Sequence, residues 1–267
     1  MPQLSINQDY RFNYVLIGDR RQPVILLLHG FMGNCNDFSA VIEQLDDFCC
    51  LVVDLPGHGQ TEVKHDANYL MPDTAQAIIT LLKYLAIKQC WLWGYSMGGR
   101  IALYLTIYFS QYFWGVILES TSPGLKTRSE REQRIQQDLK LAKRLESVEL
   151  SQFIHQWYQN PLFSSFIQHP GYQQAFTNRL NNNPFKLAKS LRMIGLGMQP
   201  SLWHCLSDIG IPMMFMVGAL DCKFLMINRQ MLDVCPQAKL GIIPNTGHNI
   251  HFENPLAIVK MFKKIIQ

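Results

Sequence analysis

The run Gly94-Tyr95-Ser96-Met97-Gly98 follows the short apolar segment Trp91 to Trp93 and precedes a helical pattern from Arg100 to Phe109. A chain that changes from strand to helix across so few residues must turn sharply. Gly94, Gly98 and Gly99 relieve the crowding at such a turn. The turn lifts the serine hydroxyl clear of the backbone and aims the N-terminus of the next helix at it. It also requires a strand that ends at the edge of a sheet and a helix that packs back on it, so the rest of the chain should alternate between the two.

The flanking sequence has that form. Phe12 to Ile17 reads as an edge strand, and Val24 to Leu28 as a buried strand ending in His29-Gly30-Phe31-Met32-Gly33. Asn36 is placed to cap a helix whose apolar face carries Phe38, Val41, Ile42 and Leu45. Phe48 to Val53 is the next buried strand, stopped by Asp54-Leu55-Pro56-Gly57-His58-Gly59. A helix opens near Pro72 and carries Ala75, Ile78, Ile79, Leu82 and Leu85 at helical spacing. Trp114 to Leu118 is a further strand. From 120 to 205 only helical patterns appear, at Arg128 to Leu145, Leu150 to Tyr158, Tyr172 to Leu180 and Pro184 to Met193. Strands resume at Pro212 to Val217 and Lys239 to Ile243. The pattern predicts an α/β fold with a mostly parallel central sheet and helices on both faces, its core built from residues 1–119 and 206–267. Residues 120–205 read as an inserted helical cap.

Several functional classes are excluded. Met1 to Tyr14 has no apolar stretch of secretory type, and no apolar run approaches the roughly 18 residues that span a bilayer. A cytoplasmic chain without membrane insertion is expected, and a monomer is favoured. The seven cysteines are odd in number and lack a Cys-x-x-Cys pair or metal-ligand spacing, so they read as reduced structural thiols with no metal site. A net charge of +4 is too modest for a nucleic-acid binder. Its distribution says more: residues 120–205 hold 11 Lys or Arg against 5 Asp or Glu, while the remainder holds 13 against 15. The positive excess therefore belongs to the cap. Guanidinium groups turned toward a pocket bind carboxylates through paired hydrogen bonds, which suits a small anionic, polycarboxylate ligand.

A serine hydroxyl reacts only when a histidine takes its proton, and that histidine needs a carboxylate to fix its tautomer. With the order serine, acid, histidine, the candidates are Ser96, Asp221 after the strand Pro212 to Val217, and His248 after the strand Lys239 to Ile243. Glu119 is an alternative acid and His251 a competing base; Asp54 precedes Ser96 and has the wrong order. His58 belongs to a turn, and His65, His155, His169 and His204 read as ordinary polar residues. Backbone N–H groups of Phe31 and Met97 are the expected oxyanion donors, with His29 and Gly30 shaping the loop that carries Phe31.

These residues also carry a family resemblance. His29-Gly30-Phe31-Met32-Gly33, Asp54-Leu55-Pro56-Gly57-His58-Gly59 and Gly94-Tyr95-Ser96-Met97-Gly98-Gly99-Arg100 resemble the α/β-hydrolase-fold enzymes that act as 2-succinyl-6-hydroxy-2,4-cyclohexadiene-1-carboxylate synthases of menaquinone and phylloquinone biosynthesis. The cap segments are more specific: Ser122-Pro123-Gly124-Leu125, Trp157-Tyr158-Gln159-Asn160-Pro161-Leu162-Phe163 and Arg179-Leu180-Asn181-Asn182-Asn183-Pro184. Gln199-Pro200-Ser201-Leu202-Trp203 and Gly218-Ala219-Leu220-Asp221-Cys222-Lys223-Phe224 extend the likeness toward the C-terminus. The resemblance implies elimination of pyruvate without metal or organic cofactor. It also implies substrate contacts from Tyr95, Arg100, Arg134, Trp157, Tyr158 and Arg179, with Arg128 and Arg131 sharing the helix of Arg134. A serine hydrolase of ester or carbon–carbon bonds, and a non-catalytic receptor for a small anion, are the competing readings.

Overall fold

Alternating burial sets the first strands and continuous burial the central ones. In the computed structural model, which describes residues 3–6 and 8–264, β1 (Gln3–Ser5) lies antiparallel to β2 (Tyr10–Ile17), with Tyr10 and Phe12 buried. Next come β3 (Val24–Leu28), the short α1 (Ser39–Ile42) and β4 (Cys49–Val53). β3 and β4 are apolar throughout, as parallel strands covered on both faces must be. The chain continues through β5 (Glu62–Val63), α2 (Met71–Tyr84), β6 (Cys90–Tyr95), α3 (Met97–Tyr108) and β7 (Phe113–Glu119). Four helices follow before the next strand: α4 (Arg128–Leu145), α5 (Leu150–Tyr158), α6 (Tyr172–Arg179) and α7 (Pro184–Ile194). β8 (Met213–Gly218), α8 (Cys222–Val234), β9 (Lys239–Ile243), α9 (Ile250–Glu253) and α10 (Pro255–Lys263) complete the described elements.

The sheet runs β1-β2-β4-β3-β6-β7-β8-β9, with β5 paired to β2. β2 is antiparallel to β4, and every pairing from β4 through β9 is parallel. The period-2 alternation of β3 divides its side chains between two cores. Leu26 and Leu28 join Ile78 and Leu82 of α2 and Ile101 and Leu105 of α3, whereas Ile25 and Leu27 join Val41 of α1 and Ile258 and Phe262 of α10. Each fully buried side chain of this kind contributes about 1.5–3 kcal/mol. A third apolar cluster joins α4, α5 and α7 through Ala142, Leu145, Phe153, Ile154, Leu187 and Leu191, and Met32 from the loop after β3 inserts into it. No helix among the described residues is long and apolar enough to cross a membrane.

Two local expectations need correction. β2 is not an edge strand: β4 pairs with Tyr14–Ile17, and Arg11 lies between two short strands, opposite Ser5 of β1 on one side and Glu62 of β5 on the other. Those partners are two and three residues long, too short to leave a periodic signal. Nor does the Asn36 side chain cap α1. That helix begins at Ser39 with Phe38 at its cap position and no side-chain cap bond, and Asn36 offers only its main-chain carbonyl, to the Ser39 amide and hydroxyl. The helix after the serine turn starts at Met97, earlier than its periodicity suggests, and this places Ser96 at the cap position itself. The close crossing needs Gly98, where a Cβ would overlap the Leu28 carbonyl oxygen at the end of β3.

Candidate active site

Ser96 adopts φ 49° and ψ −105°, a backbone conformation that non-glycine residues avoid and that surrounding bonds must hold. Those bonds are present. The Ser96 amide donates to the Glu119 carbonyl on β7 at 2.9 Å, and the Ser96 carbonyl accepts from the Thr121 hydroxyl at 2.7 Å and from the Arg100 amide at 3.1 Å. The turn is thus tied to the neighbouring strand and to its own helix, with the side chain left free to point outward.

The ends of β8 and β9 bring the partners. Asp221 caps α8 by accepting the Phe224 amide on Oδ1 at 3.1 Å, while its Oδ2 lies 2.6 Å from His248 Nδ1. An ionised carboxylate only accepts, so Nδ1 carries the proton and Nε2 keeps its lone pair. Nε2 is 3.2 Å from Ser96 Oγ. Glu253 fixes the histidine loop by accepting the Gly247 amide at 2.8 Å and the Asn249 amide at 3.2 Å. The Leu220 amide donates to Thr246 O at 2.9 Å, which locks the acid-bearing and base-bearing loops together.

The rival pair sits elsewhere. Glu119 Oε1 accepts the His251 amide at 3.0 Å and faces His251 Nδ1 at 2.7 Å, and Oε2 accepts the Trp93 indole at 3.0 Å. This fully buried pair lies against the Tyr95 ring, and among the described residues it is His248, not His251, that hydrogen-bonds Ser96 Oγ. His29 is likewise structural. Its Nδ1 meets Gly30 O at 2.7 Å and its Nε2 accepts the Leu55 amide at 2.9 Å, joining the loops after β3 and β4. Burial pushes the His29 pKa down, so the ring is neutral.

A cavity of about 190 Å³ opens over the triad, lined by Ser96 and His248 on the sheet side and by Trp157 on the helical side. Phe31 and Met97 also line it, with Met97 opening α3, where main-chain N–H groups lack helical partners. The cations in the wall are Arg100, Arg134 and Lys223. Arg100 donates from Nη1 to Ile194 O and Gln199 Oε1, both at 3.1 Å, and forms no ion pair among the described residues. Burial, reinforced by the nearby Arg134, pushes its pKa down to about 10, which leaves it charged at neutral pH. Arg134 bonds Asp138 through Nε at 2.8 Å. Arg128 is held away from the cavity by an exposed pair with Glu132, and of Arg128, Arg131 and Arg134 only Arg134 lines the wall.

A serine relay, open donors and the Arg100 guanidinium, which has no carboxylate partner among the described residues, can together take a proton, hold a developing oxyanion and bind a carboxylate. Residues 23–255 match the family described as the alpha/beta hydrolase fold. The 2-succinyl-6-hydroxy-2,4-cyclohexadiene-1-carboxylate synthase of Salmonella agona (strain SL483) is 32% identical over 252 residues, which span 94% of this chain and 96% of that protein. This chain belongs to the same synthase family. A Bacillus subtilis (strain 168) protein that bears the synthase name provisionally is 32% identical over 266 residues, 98% of this chain and 96% of its own length. The solved structure of MenH from S. aureus superposes with a TM-score of 0.89 at 32% identity, covering 97% of this chain and 98% of that one.

The six substrate contacts expected from the synthase family divide evenly. Arg100, Arg134 and Trp157 line the cavity. Tyr95, Tyr158 and Arg179 lie behind its wall. Tyr95 packs beneath the loop after β3, where a Cβ on Gly30 would strike its ring, and meets the His248 and His251 rings in tilted contacts. Tyr158 is buried, and its hydroxyl accepts from Arg179 Nε at 3.2 Å. Arg179 is only 2% exposed, and both its terminal nitrogens are held by Asp37, at 2.6 and 2.8 Å. Its guanidinium therefore has no free edge for a ligand carboxylate in this conformation. Lys223 is the cavity cation that sequence reasoning did not single out. Its position two residues after Asp221, in the first turn of α8, was the available signal.

Proposed function

We infer that the chain is a carbon–oxygen lyase of the cytoplasm that eliminates pyruvate from 2-succinyl-5-enolpyruvyl-6-hydroxy-3-cyclohexene-1-carboxylate to give 2-succinyl-6-hydroxy-2,4-cyclohexadiene-1-carboxylate. Comparison of substrate and product locates the chemistry. The ring carbon bearing the succinyl group loses a hydrogen, and the carbon bearing the enolpyruvyl ether loses oxygen. The hydrogen lies next to the succinyl ketone, so its removal puts negative charge on that carbonyl oxygen. Ser96 Oγ, whose own proton passes to His248 Nε2, takes the ring proton. The electron pair of the broken C–H bond forms the first new ring double bond. The existing double bond shifts to the next position, and the carbon–oxygen bond breaks with departure of enolpyruvate. The proton held by His248 returns to the leaving group or solvent. N–H groups of Phe31 and Met97 hold the ketone oxygen while it is charged.

The observation that supports this reading best is Arg100, a cation one turn beyond Ser96 whose hydrogen-bond acceptors are a carbonyl and an amide oxygen. A desolvated guanidinium without a carboxylate partner is costly, and an anionic ligand would relieve it. The substrate has three carboxylates, and Arg100, Arg134 and Lys223 are the cavity cations available for them. The test is pyruvate release from the purified chain, followed by coupling to a reductase. Arg100→Ala should raise KM by about tenfold to a hundredfold, the equivalent of a charged hydrogen bond. Lys223→Ala, at an exposed position, should raise it by about threefold to tenfold. Rapid turnover of simple esters with no pyruvate above background would replace the lyase by a hydrolase.

A further inference from the structure

We propose that Arg179 and Asp37 are positioning residues that set the loop carrying the oxyanion donor Phe31, and that the ion pair between them couples this loop to the helices lying over the active site. The proposal rests on the oxyanion role assigned to Phe31 above.

The loop after β3 is held from the helical side at three adjacent points. Arg179, the last residue of α6, chelates the Asp37 carboxylate with both terminal nitrogens, and the two side chains are 2% and 0% exposed. Asp37 in turn presses on the loop backbone, since a Cβ on Gly33 would overlap its Oδ2. Gly33 closes a tight turn by donating its amide to Gly30 O at 3.0 Å, and that turn encloses Phe31. Three residues beyond Arg179, Asn182 donates from Nδ2 to Met32 O at 2.8 Å and accepts the Gly59 amide on Oδ1 at 2.9 Å. The third point is Trp157 of α5, whose ring lies 5.2 Å from that of Phe31.

Met32 needs these attachments because its φ of 63° is one that a side chain disfavours. Without them the turn can relax, and the Phe31 N–H would leave the position that a developing oxyanion occupies. Oxyanion stabilisation depends on donors placed in advance, and a displacement of about 1 Å can cost roughly a hundredfold. A pair buried this fully and satisfied on both sides builds geometry, whereas a carboxylate-binding arginine needs an open edge.

The test separates positioning from ligand binding with two readouts. One is the kcat and KM of pyruvate release. The other is the affinity of phenylboronic acid, which bonds covalently to a serine oxygen, places a boronate oxygen in the oxyanion site and carries no carboxylate. Asp37→Asn and Arg179→Lys should each lower kcat by about tenfold to a hundredfold and weaken the boronate by a similar factor, with KM changed less than about threefold. The double variant should be no worse than the poorer single one, because the residues act as a unit. If Arg179→Lys does not fold, Asn182→Ala, which removes the bond to Met32 O and the Gly59 contact, carries the same expectation. Unchanged boronate affinity with a tenfold or larger rise in KM would overturn the proposal and make Arg179 a carboxylate ligand. Wild-type kinetics and boronate affinity in every folded variant would overturn it outright. A wild-type chain that releases no pyruvate, but whose variants lose boronate affinity, would retire the lyase reading and leave the loop assignment standing.

Discussion

Ser96→Ala should lower the rate of pyruvate release by about 10⁴-fold or more while substrate affinity stays within about threefold of wild type. The split follows from the geometry. Oγ is the side-chain atom 3.2 Å from His248 Nε2, so its removal breaks the relay. The cations in the cavity wall are untouched, since Arg100, Arg134 and Lys223 come from α3, α4 and α8. Alanine also lacks any group that could hold a water in the Oγ position, so direct proton transfer to His248 would have to cross the gap. Binding can be read by titrating the product, whose conjugated diene absorbs, against the variant. Undiminished product binding with lost turnover would exclude the receptor reading. A variant that still released pyruvate at a tenth of the wild-type rate would remove Ser96 from the chemistry.

The parts of this site that were legible in the sequence are those fixed over a few residues. The turn at Ser96 follows from glycines that must stand where a strand end and a helix start nearly touch, and its context extends only from Trp91 to Phe109. Asp221 and His248 were legible for a related reason: each follows a strongly apolar strand, and parallel strands deliver their C-terminal ends to one edge of the sheet. Short pairing segments such as Glu62–Val63 were not legible, because two residues have no period. The position of Arg179 was harder still. Its fate depends on Asp37, 142 residues earlier in the chain, and nothing in the local pattern of α6 distinguishes an arginine that faces a ligand from one locked onto a distant loop. Family likeness places the residue type at that position but not the partner it meets. On α4 the same difficulty was milder, because Arg128, Arg131 and Arg134 share one helix and the exposed pair of Arg128 with Glu132 removes that residue from the cavity side.

The choice between the two buried acid–histidine pairs yields the second large effect. Asp221→Asn should reduce kcat by about 10⁴-fold, because an amide can present its NH₂ group to His248 Nδ1 and stabilise the tautomer with the proton on Nε2, where it blocks transfer from Ser96. Glu119→Gln should leave kcat within a few-fold of wild type and act on stability. The Glu119 carboxylate accepts from the His251 amide, the His251 ring and the Trp93 indole. A glutamine offers one accepting oxygen and an NH₂ group, so at least one buried donor loses its acceptor at a cost of about 1–3 kcal/mol. In a chain of this size that corresponds to a fall in Tm of about 3–10 °C. The backbone bond from Ser96 to the Glu119 carbonyl is unaffected by the exchange, which is why turnover should survive. Thermal denaturation and pyruvate release measured on both variants decide the matter. Near-wild-type turnover in Asp221→Asn together with a collapse in Glu119→Gln would transfer the role of catalytic acid to Glu119, and with it the role of base to His251.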